Sequence, residues 1–225
     1  MSKINRHIEG LKKGGLKYFY KVLIDMWPHR LLSTGQVVLV AKELFNLNPA
    51  IGEEYTGRLA SMDDLDSLAD FGNVFDRNRC EYQLKRGDPC VMIFKGNKLV
   101  MSGWGAIGKL YCRTNGAIVD TSADGYYVYG GYTIQEERRK GLASLAQKIT
   151  ADHYAAQKRN KMLVLIDPKN TASITMHKNH GFDIIGHSRY YWVFGNIIRV
   201  NRFWPGSEKK VRIFTKHPPD GYDWV

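Results

Sequence analysis

Residues 125–167 read "GYYVYGGYTIQEERRKGLASLAQKITADHYAAQKRNKMLVLID", and this stretch most constrains the fold. An aromatic-rich extended run comes first. A charged loop follows, with Arg138, Arg139 and Lys140 immediately before Gly141. The strongest helix signal of the chain spans 138–159, where Leu142, Leu145, Ala146, Ile149 and His153 share one face at the 3/4 spacing. "KMLVLID" then supplies a short, almost wholly apolar strand of the kind buried inside a sheet.

The flanking segments extend the same alternation. "YTGRLASMDDLDSLADF" reads as a strand followed by a helix, with Ser61 and Asp64 forming a capping box. "PCVMIFKGNKLVMSGWGAIG" reads as two strands around a Gly96–Asn97 turn. Residues 110–134 hold further strand-like runs. "NTASITMHKNHGF" is a short helix, with Asn170 near its start and Gly181 suited to its end. "FDIIGHSRYYWVFGNIIRV" gives two more strands. Strands outnumber helices and the two are mixed, which predicts an α+β or α/β domain around a mixed sheet. No GxGxxG follows an early strand, so a doubly wound dinucleotide fold is not expected.

Residues 1–50 read as a separate basic amphipathic extension, 51–199 as the main domain and 200–225 as a tail. In the extension Leu16, Phe19, Tyr20, Leu23 and Ile24 form one helix face flanked by Lys12, Lys13, Lys17 and Lys21. That helix is expected to pack on the main domain or on a second copy of the chain in a homodimer. A peripheral contact with an anionic membrane through residues 12–24 is the alternative. "GQVVLVAKEL" is expected as a strand.

Charge narrows the partners. The net charge is +11, and residues 1–50 contribute eight Lys and Arg against three Asp and Glu. Such a surplus implies an anionic partner. No dense basic block with interleaved aromatics supports nucleic acid. Cys80, Cys90 and Cys112 are odd in number and widely spaced, which suggests neither a disulfide framework nor a zinc site. His177 and His180 form an HxxH without supporting ligands, so no metal is expected. No 18-residue apolar run and no secretory signal are found, and a cytoplasmic protein, at most touching the inner face of a membrane, is expected.

The charged loop has chemistry of its own. The first turn of a helix leaves backbone N–H groups without partners, and these donors attract anions. Gly141 and Ala143 leave room for an anion to approach, while Arg138, Arg139 and Lys140 add charge. Alone, the stretch fits a phosphate cradle or a solvated helix start equally well. The second stretch, "NTASITMHKNHGF", lies 29 residues beyond Gly141 and sets Asn170, Ser173 and His177 on one helix side. RxxGxA at 138–143 with NxxSxxMHxxxGF at 170–182 resembles the cofactor-binding core of the GNAT (Gcn5-related N-acetyltransferase) superfamily.

That resemblance implies an acetyl-CoA-dependent N-acetyltransferase. It implies that the loop Arg138, Arg139, Lys140, Gly141, Leu142 and Ala143 wraps the pyrophosphate through backbone N–H groups. It implies that the strand ending near Ile134 splays from 162–167, and that the pantetheine arm pairs with Tyr132, Thr133 and Ile134. Asn170 and Ser173 would line the cofactor side, Asn170 touching pantetheine or capping the helix. Two positions depart from the family pattern. His177 occupies the place of the thiolate-facing tyrosine and is the candidate acid. No carboxylate lies in "GYYVYGGYT", so Asp120 or Asp124, or a phenol at Tyr127 or Tyr129, is the candidate base. Asp124 and Tyr129 are carried forward with His177. Trp104 and the aromatic run at 189–195 are candidates for the acceptor side, with packing as the plainer explanation.

A primary amine on an anionic small molecule, such as a nucleotide-linked amino sugar or a polysaccharide precursor, is the acceptor expected for so basic a chain, with an acidic amino acid or a protein amino terminus as further alternatives. A non-catalytic CoA-binding or membrane-associated interaction module of the same fold is the alternative.

Overall fold

The computed structural model describes residues 32–43, 49, 51–72, 75–112, 117–193, 196–203, 210–214, 221 and 223–225. The basic helix expected near 16–24, its membrane contact and the side chains of 189–195 lie outside the described residues.

Nine strands form one sheet: β1 (Leu32–Glu43), β2 (Tyr55–Leu59), β3 (Cys90–Lys95), β4 (Lys98–Ala106), β7 (Gly125–Thr133), β8 (Lys161–Ile166), β9 (Asp183–Val193), β10 (Asn196–Phe203) and β11 (Lys210–Phe214). Their order is β11-β10-β9-β1-β8-β7-β4-β3-β2. β7 and β8 pair in parallel, and the other described neighbours are antiparallel. A second sheet joins β5 (Lys109–Cys112), β6 (Ala117–Asp120) and β12 (Asp223–Trp224) in the order β12-β5-β6. The mixed sheet expected from the alternation is therefore present.

The expected boundaries at residues 50 and 200 need correction. β1 lies inside the large sheet, paired with β8 on one side and β9 on the other. A cut at residue 50 separates β1 from both ladders. β10 and β11 likewise continue that sheet past residue 199, and β12 pairs with β5.

Among the described residues, four helices cover the sheets. α1 (Leu65–Asp70) follows a 3-10 turn at Met62–Asp64, and the Ser61–Asp64 capping box is formed. Such a cap contributes about 1 kcal/mol. α2 (Arg77–Arg86) is not apparent from periodicity, because its residues are mostly polar. Its ends carry the signal: the Asp76 side chain accepts from Arg79 N, and Gly87 takes a left-handed φ of 88°. α3 (Leu142–Ala155) is shorter than the expected 138–159. Arg139 and Gly141 both have positive φ, 65° and 78°, which no continuing helix accommodates. α4 (Thr171–Asn179) begins at the Asn170 cap, and Gly181 has a φ of 77°.

Side chains alternate across the central strands and divide the core. On one face Tyr126, Met162, Val164 and Ile166 pack with Ala151 and Tyr154 of α3 and with Phe182. On that same face Leu142 and Ala146 of α3 cover Val91, Ile93, Val100 and Met101. On the opposite face Trp104, Cys90 and Met92 meet α1 and α2 through Leu65, Leu68 and Cys80. Tyr127 and Leu163 there meet the small sheet through Leu110, Cys112 and Val119. All three cysteines are buried and none forms a disulfide.

Candidate functional site

The ladder between β7 and β8 runs from Gly125↔Lys161 to Val128↔Val164 and stops there. β7 continues to Thr133 and β8 to Ile166, so the two strands part beyond Val128. A bulge in β7 helps turn it. Ser102 pairs with Tyr132 and Trp104 with Tyr129, leaving Gly130 and Gly131 opposite Gly103. Gly130 has a φ of 61°, and a Cβ there would lie 2.6 Å from the Phe75 ring. Glycine is required on both counts.

The loop after β7 is the cradle. Left-handed residues at 139 and 141 turn successive N–H groups toward one concavity. Among the described residues, no acceptor meets the N–H groups of Arg139, Lys140, Gly141, Leu142 or Ala143, while Ser144 N and Leu145 N return to Gly141 O. Leu142 is buried and anchors the turn to the core, and Ala143 packs beside it. Two of the three cationic side chains are engaged elsewhere. Arg138 Nε donates to Thr133 O at 3.1 Å, binding the loop back to the splayed strand. Lys140 Nζ donates to Glu137 Oε2 at 2.7 Å, and Tyr55 Oη (2.5 Å) and Lys95 Nζ (3.3 Å) also donate to that carboxylate. The Lys140, Tyr55 and Lys95 bonds hold the Glu137 carboxyl down at about 2. Arg139 is exposed.

At the end of β7, Ile134 N donates to Val100 O and Thr133 O is taken by Arg138, so neither group is open. Tyr132 packs edge-on to Phe71, with ring centroids 5.5 Å apart.

The second expected stretch forms a polar chain between α4 and α3. Asn170 Oδ1 accepts from Ser173 N at 3.1 Å, so Asn170 is the helix cap. His177 is 4% exposed, and its Nδ1 lies 2.8 Å from Ser173 O and 3.4 Å from Ser173 Oγ. Gln147 Nε2 lies 3.0 Å from His177 Nε2, Gln147 Oε1 lies 3.1 Å from His180 Nδ1, and His180 Nε2 lies 3.1 Å from Ser144 Oγ. With the amide nitrogen donating, His177 carries its proton on Nδ1 and gives it to Ser173 O. Burial pushes its pKa below the ordinary value. Both ring nitrogens are occupied and Phe182 closes the ring edge-to-face, so the expected acid is instead a neutral interior strut.

Asp124 also departs from its expected role. It is exposed in the turn before β7, where its backbone oxygen accepts from Asn160 N and Lys161 N. A strand rises about 3.3 Å per residue, which puts Asp124 roughly 17 Å along β7 from Tyr129. It sits at the paired end of β7, away from the splay. Asp120 accepts from Ser122 N in the same region.

Tyr129 is the expected catalytic candidate that does reach the splay, on the face covered by α1 and α2. Its hydroxyl donates to Asp88 Oδ2 at 2.7 Å. Arg86 pairs with both oxygens of Asp88, through Nε at 3.0 Å and through Nη2. The pair is well enclosed, with side chains 15% and 6% exposed. Burial pushes the Asp88 carboxyl up, against the pull of the Arg86 and Tyr129 bonds. Burial and the Asp88 charge push the Tyr129 phenol well above its ordinary pKa. Tyr129 is therefore a protonated donor, and the carboxylate missing from β7 is supplied from the α2–β3 loop. The Arg86-Gly87-Asp88 triplet was the available signal, but nothing local ties it to a tyrosine 41 residues away. Phe75 and Trp104 pack beside this cluster, with Phe75 6.2 Å from Tyr129 and 6.3 Å from Trp104 between ring centroids.

A parted strand pair, a cradle of open backbone donors and a polar pocket on the other face define an acyltransferase-like fold. Residues 120–193 match the family model described as FR47-like protein. The fold resembles that of a putative GNAT-family acetyltransferase from Novosphingobium aromaticivorans, at 10% identity, with a TM-score of 0.51, covering 70% of this chain and 63% of that one. It also resembles a GNAT-family acetyltransferase from Colwellia psychrerythraea, at 14% identity and a TM-score of 0.51, covering 84% and 63%. A functionally unknown conserved protein from Staphylococcus epidermidis shares the fold at 12% identity and a TM-score of 0.52, covering 85% and 80%. The chain thus spans less than two thirds of the length of either acetyltransferase. No curated protein matches the sequence. The match to the FR47-like model covers one segment of the chain, and the fold as a whole is shared with GNAT-family acetyltransferases.

Proposed function

We propose that this protein is an acetyl-CoA-dependent N-acetyltransferase acting on a primary amine carried by an anionic small molecule. The observation that carries this reading is the set of unpartnered N–H groups at 139–143, directly after a strand that has left its neighbour. The cradle takes the pyrophosphate through backbone donors. The gap between β7 and β8 takes the pantetheine arm, leaving the thioester near Tyr129. Asn170 and Ser173 act through the helix they cap rather than by touching the cofactor.

In the reaction the neutral amine nitrogen attacks the thioester carbonyl. The N–C bond forms, the C–S bond breaks and coenzyme A leaves as thiolate. The amine proton passes to the Tyr129 oxygen as the phenol proton moves to Asp88. Arg86 holds that carboxylate in place. Orientation of amine and thioester supplies much of the rate, and a proton relay adds about 10²–10⁴-fold.

A second reading, a CoA-binding module without catalysis, is favoured by the internal engagement of both His177 nitrogens. Thiol release from acetyl-CoA across an amine panel, with products read by mass spectrometry, separates the two. Stimulated release with an acetylated product supports the enzyme. Tight CoA binding with no stimulated release by any amine leaves the binding module.

A further inference from the structure

α2 carries a row of polar groups on one face, of which the proposed chemistry uses only Arg86. Arg79, Gln83 and Arg86 recur at the spacing of one helix face. The Arg79 guanidinium lies 3.8 Å from the centroid of the Phe75 ring. That ring in turn covers Gly130, where the strand bends away at the splay. Arg86 is committed to Asp88, but among the described residues Arg79 makes no ion pair. The nearby Asp76 carboxylate receives the Arg79 backbone N–H, not its side chain. Gln83, one turn further along, is 1% exposed, and among the described residues neither polar atom of its side-chain amide has a partner. A buried amide left so costs about 1–3 kcal/mol, which the protein retains at this point of the fold.

We infer that Arg79 and Gln83 form the anion subsite of the acceptor pocket, and that the acceptor is an amine bearing a carboxylate. The inference rests on the acetyltransferase reading of the same site. A guanidinium and a planar amide offer coplanar N–H donors that match a carboxylate. The charge count also fits a monoanion: Arg79 makes no ion pair among the described residues, while a diphosphate would leave excess negative charge beside Asp88. The Phe75 ring stands between the guanidinium and the Tyr129 ring. The acceptor therefore lays its apolar spacer over Phe75, with the carboxylate at α2 and the amine at the splay. This sharpens the anionic acceptor expected from the +11 charge from a nucleotide-linked sugar to an amino acid.

The test pairs acids with their neutral counterparts. Glycine, β-alanine, γ-aminobutyrate and glutamate, each beside its α- or ω-carboxamide, are offered to the wild type and to Arg79→Gln with acetyl-CoA. A charge-assisted contact predicts that at least one acid exceeds its carboxamide in kcat/KM by roughly 10- to 100-fold. Arg79→Gln should remove that preference and leave the carboxamide rate within about twofold. Gln83→Met should weaken acid selectivity while raising the thermal midpoint, since it removes an unpartnered amide. Equal rates for acids and carboxamides in the wild type overturn the inference and leave the transferase reading standing. Where no amine releases thiol, calorimetric titration of the CoA-loaded protein with the same compounds decides. Uptake of an acid but not its carboxamide sustains the anion subsite while transfer falls; uptake of neither overturns both.

Discussion

Asp88→Asn tests the centre of the pocket. The substitution keeps the shape of the side chain and removes its charge. Asp88 accepts from Arg86 Nε at 3.0 Å, from Arg86 Nη2 and from Tyr129 Oη at 2.7 Å. An asparagine offers one acceptor oxygen, and its NH2 must face either Arg86 or Tyr129, both donors. Arg86, half-buried at 15% exposed, then loses the carboxylate charge that Asp88 sets against it. Breaking one partner of a buried pair costs about 3–5 kcal/mol. For a chain of this size each kcal/mol lowers the thermal midpoint by about 2–4 °C, so a fall of roughly 6–20 °C is expected by calorimetry. Tyr129→Phe leaves the Arg86–Asp88 pair intact and deletes one donor, with a cost of about 1–2 kcal/mol. The double replacement Arg86→Met with Asp88→Leu should recover much of the loss, because it leaves no orphaned charge. A fall for Asp88→Asn no larger than that for Tyr129→Phe would refute the enclosed pair. Turnover adds an independent readout: both Asp88→Asn and Tyr129→Phe should lower kcat for the amine and leave CoA affinity unchanged.

Three further perturbations probe the surrounding geometry. Gly141→Glu places a carboxylate among five open N–H donors and forces a side chain into φ 78°, so CoA binding measured by calorimetry should be lost; retained affinity removes the cradle. Gly130→Ala drives a Cβ to 2.6 Å from Phe75 at φ 61°, and should raise the acceptor KM several-fold while CoA affinity holds. Finally, the His177 pKa is depressed by burial, so the stability it contributes is present above about pH 6.5 and lost as pH falls below it. His177→Gln should flatten the thermal midpoint between pH 7 and 5; an unchanged slope shows that other groups carry it.

Legibility in the sequence followed the range of the interactions. α3 and β8 were readable because an apolar stripe and an apolar run are local patterns, and the Ser61–Asp64 and Asn170 caps because they span three residues. α2 escaped periodicity because its inner face carries Arg79, Gln83 and Arg86 in place of an apolar stripe. The cradle was readable from its glycine, but its first helical residue was not, since Arg139 occupies a left-handed conformation that arginine does not announce. Nor does any residue type mark the end of the β7–β8 ladder, although the Gly130–Gly131 pair gave a local hint of the bulge. The pocket was hidden because Asp88 and Tyr129 meet only once the sheet is assembled. The place of β1 between β8 and β9 was hidden for the same reason.

The engagement of the loop cations changes what holds an anion here. Arg138 is turned to Thr133 O and Lys140 to Glu137, which spends two of the three charges that make the loop conspicuous. Glu137, held ionised at about 2, would repel a diphosphate if it were bare; Lys140 and Lys95 cancel that field. The basic residues thus keep the turn in shape and neutralise its own carboxylate, which on the proposed reading leaves the binding to the backbone. On the other face the pattern inverts, because Arg86 is paired with Asp88 while Arg79 makes no ion pair among the described residues. On the proposed reading one sheet then offers two anion sites of different kinds, backbone dipoles on the α3 side and a side-chain charge on the α2 side. The parted end of β7 lies between them, where a thioester from one side and an amine from the other can meet.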